Sequence, residues 1–442
     1  MVQPADNTNL AVQHVYKIPK AKTNTSRFND PQLDQLITVA LVDSPTMLSA
    51  NARLDRAIQA AKGAKAAMWP TLGLRGAVQQ QYFPLSGTIP LAVKSLDLSQ
   101  VSAETLALNF SYQVDFWGKN RHALASKISE AVATGMDAAQ TRLLLSAAVA
   151  NAYFDLQNNI KQVALTKEYL RLQKELYAIA ADREKHGIES NIPVTTALSA
   201  IQITATNLQD YKRAQMLSRH QLAVLMGKNP MNTEIETSAF SYNSKQLALP
   251  EIIPANLLAQ RPDILAAKAL AESAAHQIRV AKAAFYPNIN LKGILSYQNL
   301  YFNNFFNINF PNNGATAALD LPIFDAGARK ANLRTSYANY DLAVNQYNQT
   351  ILNALKEVVD QISNLQTLNN QVQEQNQAVN AIQTNYNLIK SRYNQGIIDY
   401  VQLIQVKQNL IQQQTVLFTL QTRQKQAYIT LLAALGGEVS HD

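Results

Sequence analysis

Histidine is the residue used most often for metal binding and acid–base chemistry, and this chain has six. They are His14, His122, His186, His220, His276 and His441. They are dispersed, and none has the His-Glu spacing with which one helix face binds zinc. The chain has no cysteine, so it offers no disulfide, thiolate ligand or thiol nucleophile. These side chains therefore indicate neither a metal site nor a nucleophilic enzyme.

Phosphate and nucleic-acid chemistry match the chain no better. Gly73, Gly76 and Gly87 lie close together, but the pattern around them predicts a strand and a loop, whereas a phosphate-binding loop opens onto a helix. The net charge is +8, yet the basic residues are scattered and form no dense stripe that would bind nucleic acid. We therefore expect no catalysis, no cofactor and no nucleic-acid partner.

The chain carries an internal repeat that is marked by glycines. Three glycines of the first half recur at one constant offset of 209 residues: Gly118, Gly187 and Gly227 reappear as Gly327, Gly396 and Gly436. A constant offset is the mark of a duplicated structural unit. We interpret the chain as two tandem repeats.

Both repeats show the same order of patterns. A helical pattern ends at Pro70 in the first repeat and at Pro287 in the second, because proline lacks the amide that would continue a helix. After these prolines, the period of the apolar residues changes from the 3.6 residues of a helix to the 2 residues of a strand. Apolar and polar residues alternate over 72–78, 106–115, 288–297 and 315–323. These alternations predict four strands in two pairs, each strand with one apolar and one polar face.

A very long helical pattern follows the strands of each repeat. Residues 328–395 contain neither Gly nor Pro, and a helix over that stretch would be about 100 Å long. The matching stretch 119–186 contains no proline, and returning helices are predicted over 193–226 and 397–435. Apolar residues recur at spacings of three and four, as in the seams of packed helices. The intervening residues are strongly polar, which indicates a helix face that lines water.

These patterns predict an α+β fold in five segments. An N-terminal extended segment with the start of an equatorial region covers 1–50, repeat 1 covers 51–228, a linker or equatorial region covers 229–257, repeat 2 covers 258–437, and a tail covers 438–442. Within the repeats, the strand pairs are 71–83 with 103–116 and 287–298 with 314–324, and the long helical hairpins are 118–227 and 327–436.

Four strands of this kind cannot close a membrane barrel alone. The smallest membrane barrels have about eight strands, and lipid does not tolerate unpaired strand edges. Several copies of the chain could close one barrel together, with the helical hairpins continuing it as a tube. Such an oligomer would explain the strands, the helix length, the duplication and the polar helix faces together.

Three segments resemble hallmark sequences of the TolC family, also called outer-membrane factors. They are LAQRPDI at 258–264, AAFYP at 283–287 and LPIFDAG at 321–327. The resemblance covers roughly residues 30–437. It implies a homotrimer with a twelve-stranded β-barrel in the outer membrane of a Gram-negative bacterium, four strands from each chain, continued into the periplasm by an α-helical barrel. Within the family, the motifs are nearest to the lipoprotein branch that serves resistance-nodulation-division pumps.

The resemblance also implies a function in efflux. The chain would be the outer-membrane channel of a tripartite system, a passive duct for drugs or other small solutes with a gated periplasmic tip. Its expected partners are two further copies, a periplasmic adaptor, an inner-membrane pump and outer-membrane lipid. The alternative is a non-channel helical-hairpin scaffold associated with the cell envelope. Many members carry an N-terminal lipid-linked cysteine, and this sequence contains no cysteine.

In the family, the closed periplasmic end lies at the two hairpin turns. Gates there use acidic rings and tyrosine contacts, because carboxylates around a symmetry axis narrow a pore and attract cations. By position relative to the turn glycine, the gate candidates are Tyr393 and Asp399, with Arg392 as an ion-pair candidate. The candidates for the tip turns and for adaptor docking are Gly187, Ile188, Glu189, Gly396 and Ile397.

The gate candidates also have plainer roles. Asp399 could cap the returning helix, a role that is compatible with a gate. Arg392 and its repeat counterpart Arg183 stand near helix C-termini, where the helix dipole favours a cation, or they could form ion pairs between helices that hold the tip shut. Gly187 and Gly396 are expected to provide the positive φ of a turn.

Overall fold

The computed structural model describes residues 28, 30–82, 100–231, 235, 259–299 and 311–437. In chain order, the elements in these ranges are α1 (Pro31–Asp43), α2 (Pro45–Ala66), β1 (Thr71–Tyr82), β2 (Gln100–Val114), α3 (Lys119–Lys185), α4 (Ile192–Leu225), α5 (Pro262–Ala283), β3 (Asn288–Asn299), β4 (Pro311–Asp320), α6 (Ala328–Asn394) and α7 (Tyr400–Ala434). Within the same ranges, none of the helices combines the length and the apolar character needed to cross a membrane.

The chain divides into two compact units. The first comprises residues 1–54, 134–266 and 348–442, and the second comprises residues 55–133 and 267–347. Both hairpin turns belong to the first unit, and the four strands belong to the second. The five segments proposed from the sequence remain a prediction.

The strands form one antiparallel sheet in the order β1-β2-β3-β4. Leu72 lies opposite Phe110, Phe110 opposite Gly293, and Gly293 opposite Ala315. Because alternate residues of a strand share a face, this register gathers the apolar residues of all four strands on one face. Large apolar side chains that are exposed on this face include Leu72, Leu74, Val78, Leu106, Phe110, Leu295 and Leu319. The opposite face is polar and carries residues such as Arg75, Asn109, Gln113, Lys292 and Thr316.

The strand bounds differ from the prediction mainly in β4. This strand runs from Pro311 to Asp320, not over 314–324. Its end is explained by Pro322, which has no amide to donate to a ladder, and its start at Pro311 is allowed because proline is tolerated as the first residue of a strand. β2 is also longer than expected at its start, which lies at Gln100 instead of residue 103.

The prediction for 1–50 combined an extended N-terminal segment with the start of an equatorial region. Of the described residues in this range, 31–43 and those after Ser44 are helical and not extended. Asp30 caps α1, and its carboxylate accepts hydrogen bonds from the backbone amides two and three positions later, at 3.1 and 3.3 Å. Pro31 at the first position also favours a helix. The apolar residues of α1 are buried at spacings of four and three: Leu33, Ile37 and Ala40.

The core of the first unit contains an aromatic cluster on α3 and α7. The ring of Phe28 lies 5.1 Å from that of Phe154 and 6.0 Å from that of Tyr428. Lys425 is buried with its ammonium group 5.0 Å from the centre of the Phe154 ring, and burial lowers its pKa to about 8. The aromatic contacts hold Phe28 against the long helices α3 and α7.

The glycine repeat is visible in the backbone. The six glycines that mark it have φ values of 75° and 89°, 68° and 73°, and 71° and 90° for the three pairs. The two long helices occupy equivalent positions, since α3 and α6 begin and end at the same offset as the glycines. The positive φ expected for Gly187 and Gly396 is confirmed.

Candidate gate at the hairpin turns

The two hairpin turns share one backbone geometry. The amide of Ile188 donates to the carbonyl five residues earlier at 2.9 Å, and that of Ile397 does the same at 3.0 Å. The amides of Gly187 and Gly396 each donate to the carbonyl three residues earlier, at 2.9 Å. This pair of bonds, with a glycine at positive φ, ends a helix by satisfying its last carbonyls. Both isoleucines project into solvent, with 71% and 65% of their surface exposed.

Asp399 is the N-cap of α7. Its carboxylate accepts a hydrogen bond of 2.9 Å from the amide of Gln402, and its backbone is extended, with φ −81° and ψ 163°. The capping role predicted for this residue is confirmed. A carboxylate also favours the positive end of the helix dipole. The gate role of Asp399 remains a prediction.

A tyrosine that directly follows this cap connects α7 to α3. The hydroxyl of Tyr400 donates a hydrogen bond of 2.9 Å to the carboxylate of Glu175. This bond, followed by partial burial, raises the pKa of Tyr400 above its ordinary value. The predicted gate residue Tyr393 lies against it, with ring centres 5.3 Å apart and ring planes inclined by 40°. The two hairpins of one chain are therefore joined near their turns.

Arg171 holds the acceptor of this bond in place. Its guanidinium pairs with Glu168 at 2.7 Å and also donates to Glu175. The hydrogen bond from Arg171 lowers the pKa of Glu168. The carboxylate of Glu175 thus accepts hydrogen bonds from both the guanidinium of Arg171 and the hydroxyl of Tyr400. We call Tyr400, Glu175, Arg171 and Glu168 the tip clamp.

The other two predicted arginines differ from each other. Arg183 pairs with the docking candidate Glu189 at 3.4 Å, and this ion pair spans the turn between α3 and α4. Arg392 contributes its carbonyl to the second turn, and its side chain has no ion pair in the ranges that the structure describes. Three or more His, Asp or Glu side chains that could hold a metal ion are not found together among the described residues.

An apolar groove adjoins the first turn. It has a volume of about 430 Å³ and lies between α3, α4 and the start of α7. Its apolar lining includes Leu176, Ile179, Ile192 and Val401, and the Arg183–Glu189 pair also lines it. Grooves of this kind accept an amphipathic helix of a partner.

Sequence reasoning missed the tip clamp because its members are far apart in the chain. Tyr400 and Glu175 are separated by 225 residues. One local signal was available, since Glu168, Arg171 and Glu175 have the spacings of three and four that bring charges together on a helix. The position of Tyr400 next to Asp399 was a second signal.

Comparison with known proteins settles the family. The model of the outer membrane efflux protein family matches residues 36–228 and 253–437. The chain belongs to this family. The family resemblance and the outer-membrane location expected from the sequence are thereby confirmed.

Individual relatives agree with the family. This efflux protein is 30% identical over 419 residues to the multidrug resistance outer membrane protein MdtQ of Escherichia coli O6:H1, covering 93% of this chain and 86% of the relative. It is 29% identical over 412 residues to the probable efflux pump outer membrane protein TtgC of Pseudomonas putida, covering 93% and 84%. The chain is 29% identical in sequence to the outer membrane protein VceC from Vibrio cholerae. The crystal structure of VceC matches with a TM-score of 0.81, covering 94% of this chain and 98% of VceC. The protein is an outer-membrane component of an efflux system.

Proposed function

We propose that three copies of this efflux protein form one passive duct, with a twelve-stranded β-barrel to which each copy contributes four strands. The open sheet carries the proposal. Its outer strands are β1 and β4, and one of its faces is apolar and exposed. An unpaired strand edge in lipid leaves amide and carbonyl groups without partners, each at a cost of several kcal/mol. Pairing β4 of one copy with β1 of the next removes both edges.

The long helices support the same assembly. Exposed apolar residues on α6 recur at spacings of three and four, as Leu352, Leu355 and Val359 do. A helix stripe of this kind needs a partner surface. In the proposed trimer the stripe packs against a neighbouring copy, so that the hairpins form an α-helical barrel through the periplasm.

The duct itself performs no catalysis. Solutes diffuse through it, and an inner-membrane pump supplies the energy through a periplasmic adaptor. The exposed residues Ile188 and Ile397, together with Gly187, Glu189 and Gly396 in the turns and the groove beside them, are the proposed adaptor-docking surface. The names of MdtQ and TtgC refer to multidrug resistance and to an efflux pump, and they support drugs or other small solutes as the cargo.

The tip clamp is the proposed closing device of the duct. By joining α7 to α3 it prevents the second hairpin from swinging away from the first. Tyr393 supports the ring of Tyr400, and Asp399 fixes the start of α7. Arg392 closes the second turn through its carbonyl. Release of the Tyr400–Glu175 bond would let the tip open.

Replacing Tyr400 with Phe is expected to increase the open fraction of the duct about tenfold. The change keeps the ring and removes only the hydroxyl that donates to a carboxylate, a bond worth roughly 1.5–3 kcal/mol. Single-channel currents of the purified full-length protein in a planar bilayer measure this effect. The matched control is Tyr177→Phe, since Tyr177 lies two residues after Glu175 and has no hydrogen bond to its hydroxyl in the described part of the chain.

The recordings distinguish the two hypotheses about function. Brief, small openings of the unaltered protein that become frequent in Tyr400→Phe, but not in Tyr177→Phe, support a gated duct. Equal currents from all three proteins would reject the tip clamp but keep the duct. Well-inserted protein that passes no current in any variant would reject the duct and favour the scaffold.

A further inference from the structure

A row of polar contacts joins α3 to α5 within the second unit. The buried hydroxyls of Ser126 and Ser273 are 2.8 Å apart, and the amide of Gln277 donates to Ser126 at 2.7 Å. One turn along α3 from Ser126, Nδ1 of His122 lies 3.3 Å from Nδ1 of His276. The imidazole rings are stacked, with centres 5.4 Å apart and planes inclined by 25°.

The hydrogen bond between the two histidines requires that at least one of the two rings be neutral. A hydrogen bond between two Nδ1 atoms needs one donor and one acceptor, so one imidazole carries its proton on Nδ1 and the other is neutral with its proton on Nε2. When both rings are protonated, both Nδ1 atoms are donors and the bond cannot exist. Two positive rings at this distance then repel each other.

The charged groups around the pair add to this repulsion. Arg279 on α5 and Arg121 on α3 disfavour the charged form of His122, whereas Asp115 just before α3 favours it. Asp115 already accepts hydrogen bonds from Arg121 and from the amide of Asn120, so these donors largely compensate its negative charge. Burial, followed by Arg279, lowers the pKa of His122 below its ordinary value of 6.5. The stabilisation of the folded state by the contact between the two histidines is therefore complete above pH 6.5. It is lost as the pH falls through the lowered pKa of His122.

We propose that His122 and His276 form an acid-sensitive latch, which joins α3 to α5 at neutral pH and releases them when both imidazoles are protonated. The position of the pair gives the release a structural consequence. α3 follows β2 and α5 precedes β3, and these two strands pair directly. The latch thus links the helices that leave the central strand pair, one from each predicted repeat.

Hydrogen exchange of the full-length protein tests the latch. Backbone amides of residues 122–126, corrected for the intrinsic effect of pH, are expected to lose protection about tenfold between pH 7.5 and pH 5, because acid removes the hydrogen bond between the two imidazoles. His122→Gln and His276→Gln are expected to abolish this dependence. His220→Gln is the matched control, because His220 is an exposed histidine on α4, and it should keep the full dependence.

A covalent lock keeps the test valid if the glutamine variants fold poorly. Because the chain has no cysteine, a disulfide between Ser126→Cys and Ser273→Cys would be the only one, and it should preserve protection at pH 5. Three results would overturn the latch. They are unchanged protection of the unaltered protein at pH 5, an equal loss in the histidine variants, or a gain in protection at pH 7.5 when Zn²⁺ is added, which would identify the two nitrogens as a metal site.

Discussion

Replacing Arg261 with Met is expected to lower the free energy of unfolding by about 2–3 kcal/mol. Arg261 is only 4% exposed, and its guanidinium pairs with Asp263 at 2.8 Å and with Glu357 on α6 at 2.9 Å. It also donates to the carbonyl of Ala434, at the C-terminal end of α7. Removing one partner of a buried ion pair costs about 3–5 kcal/mol, and the partial exposure of Glu357 reduces that figure.

Arg171→Met is the matched control for this change. Arg171 also pairs with two carboxylates, but it lies in solvent with 53% of its side chain exposed, so its loss should cost less than about 1 kcal/mol. Urea unfolding of the detergent-solubilised proteins, followed by circular dichroism, measures both. Equal losses of unfolding free energy in the two variants would show that burial does not determine the contribution of Arg261 to stability. The burial of Arg261 also explains physically why an arginine stands in the LAQRPDI segment.

Replacing Gly227 with Ala is expected to cost at least about 3 kcal/mol, the range of severe overpacking in a core. A Cβ atom at this position would lie 2.4 Å from the carbonyl oxygen of Asp43 and 3.1 Å from Cδ of Pro45. The first obstacle is backbone, so the chain before α2 would have to move. The residue also has a positive φ of 71°, which strains any side chain.

Gly187→Ala separates the two contributions. Gly187 has a φ of 68°, but nothing lies within 4 Å of an added Cβ. Its replacement should therefore cost only the strain of the left-handed conformation, about 1–2 kcal/mol. The same urea unfolding gives the free-energy loss of both variants. The difference between them is the cost of the close contact between residue 227 and the end of α1. A difference near zero would contradict that contact.

Local patterns predicted most of the fold. Gly187 and Gly396 were expected at positive φ and are found there, because a turn between long helices needs that conformation whatever surrounds it. The alternation of apolar and polar residues predicted the four strands, since period and side-chain direction are properties of a single strand. Asp399 as a helix cap is equally local. The β4 bounds differed because Pro322 ends the ladder before the alternation ends.

Contacts between distant segments could not be predicted in this way. The histidines were interpreted as dispersed, yet His122 and His276 meet although 154 residues separate them. The Tyr400–Glu175 hydrogen bond and the ion pairs of Arg261 could not be predicted for the same reason, because helix packing decides which helix faces meet. The helix over residues 31–43 was missed because the capping of α1 by Asp30 was not recognised.

Disulfide trapping between the outer strands tests the shared barrel most directly. Within one chain β1 and β4 are separated by three strand spacings, about 14 Å, and a disulfide requires Cα atoms within about 7 Å. Arg75→Cys on β1 therefore cannot bond with a cysteine on β4 of its own chain, so a disulfide between β1 and β4 must join two copies. The chain has no native cysteine to interfere. Positions on the same polar face of β4 are Asn312, Gly314, Thr316 and Ala318.

The experiment combines Arg75→Cys with one of these four β4 replacements at a time, oxidises membranes that contain the full-length protein, and separates the products on denaturing gels. A barrel shared by three copies predicts a covalent trimer for at least one of the four pairs, and no trimer for the single-cysteine controls. If all four pairs yield only monomers, or no more dimer than those controls, the copies do not share a closed barrel and the proposed duct is wrong.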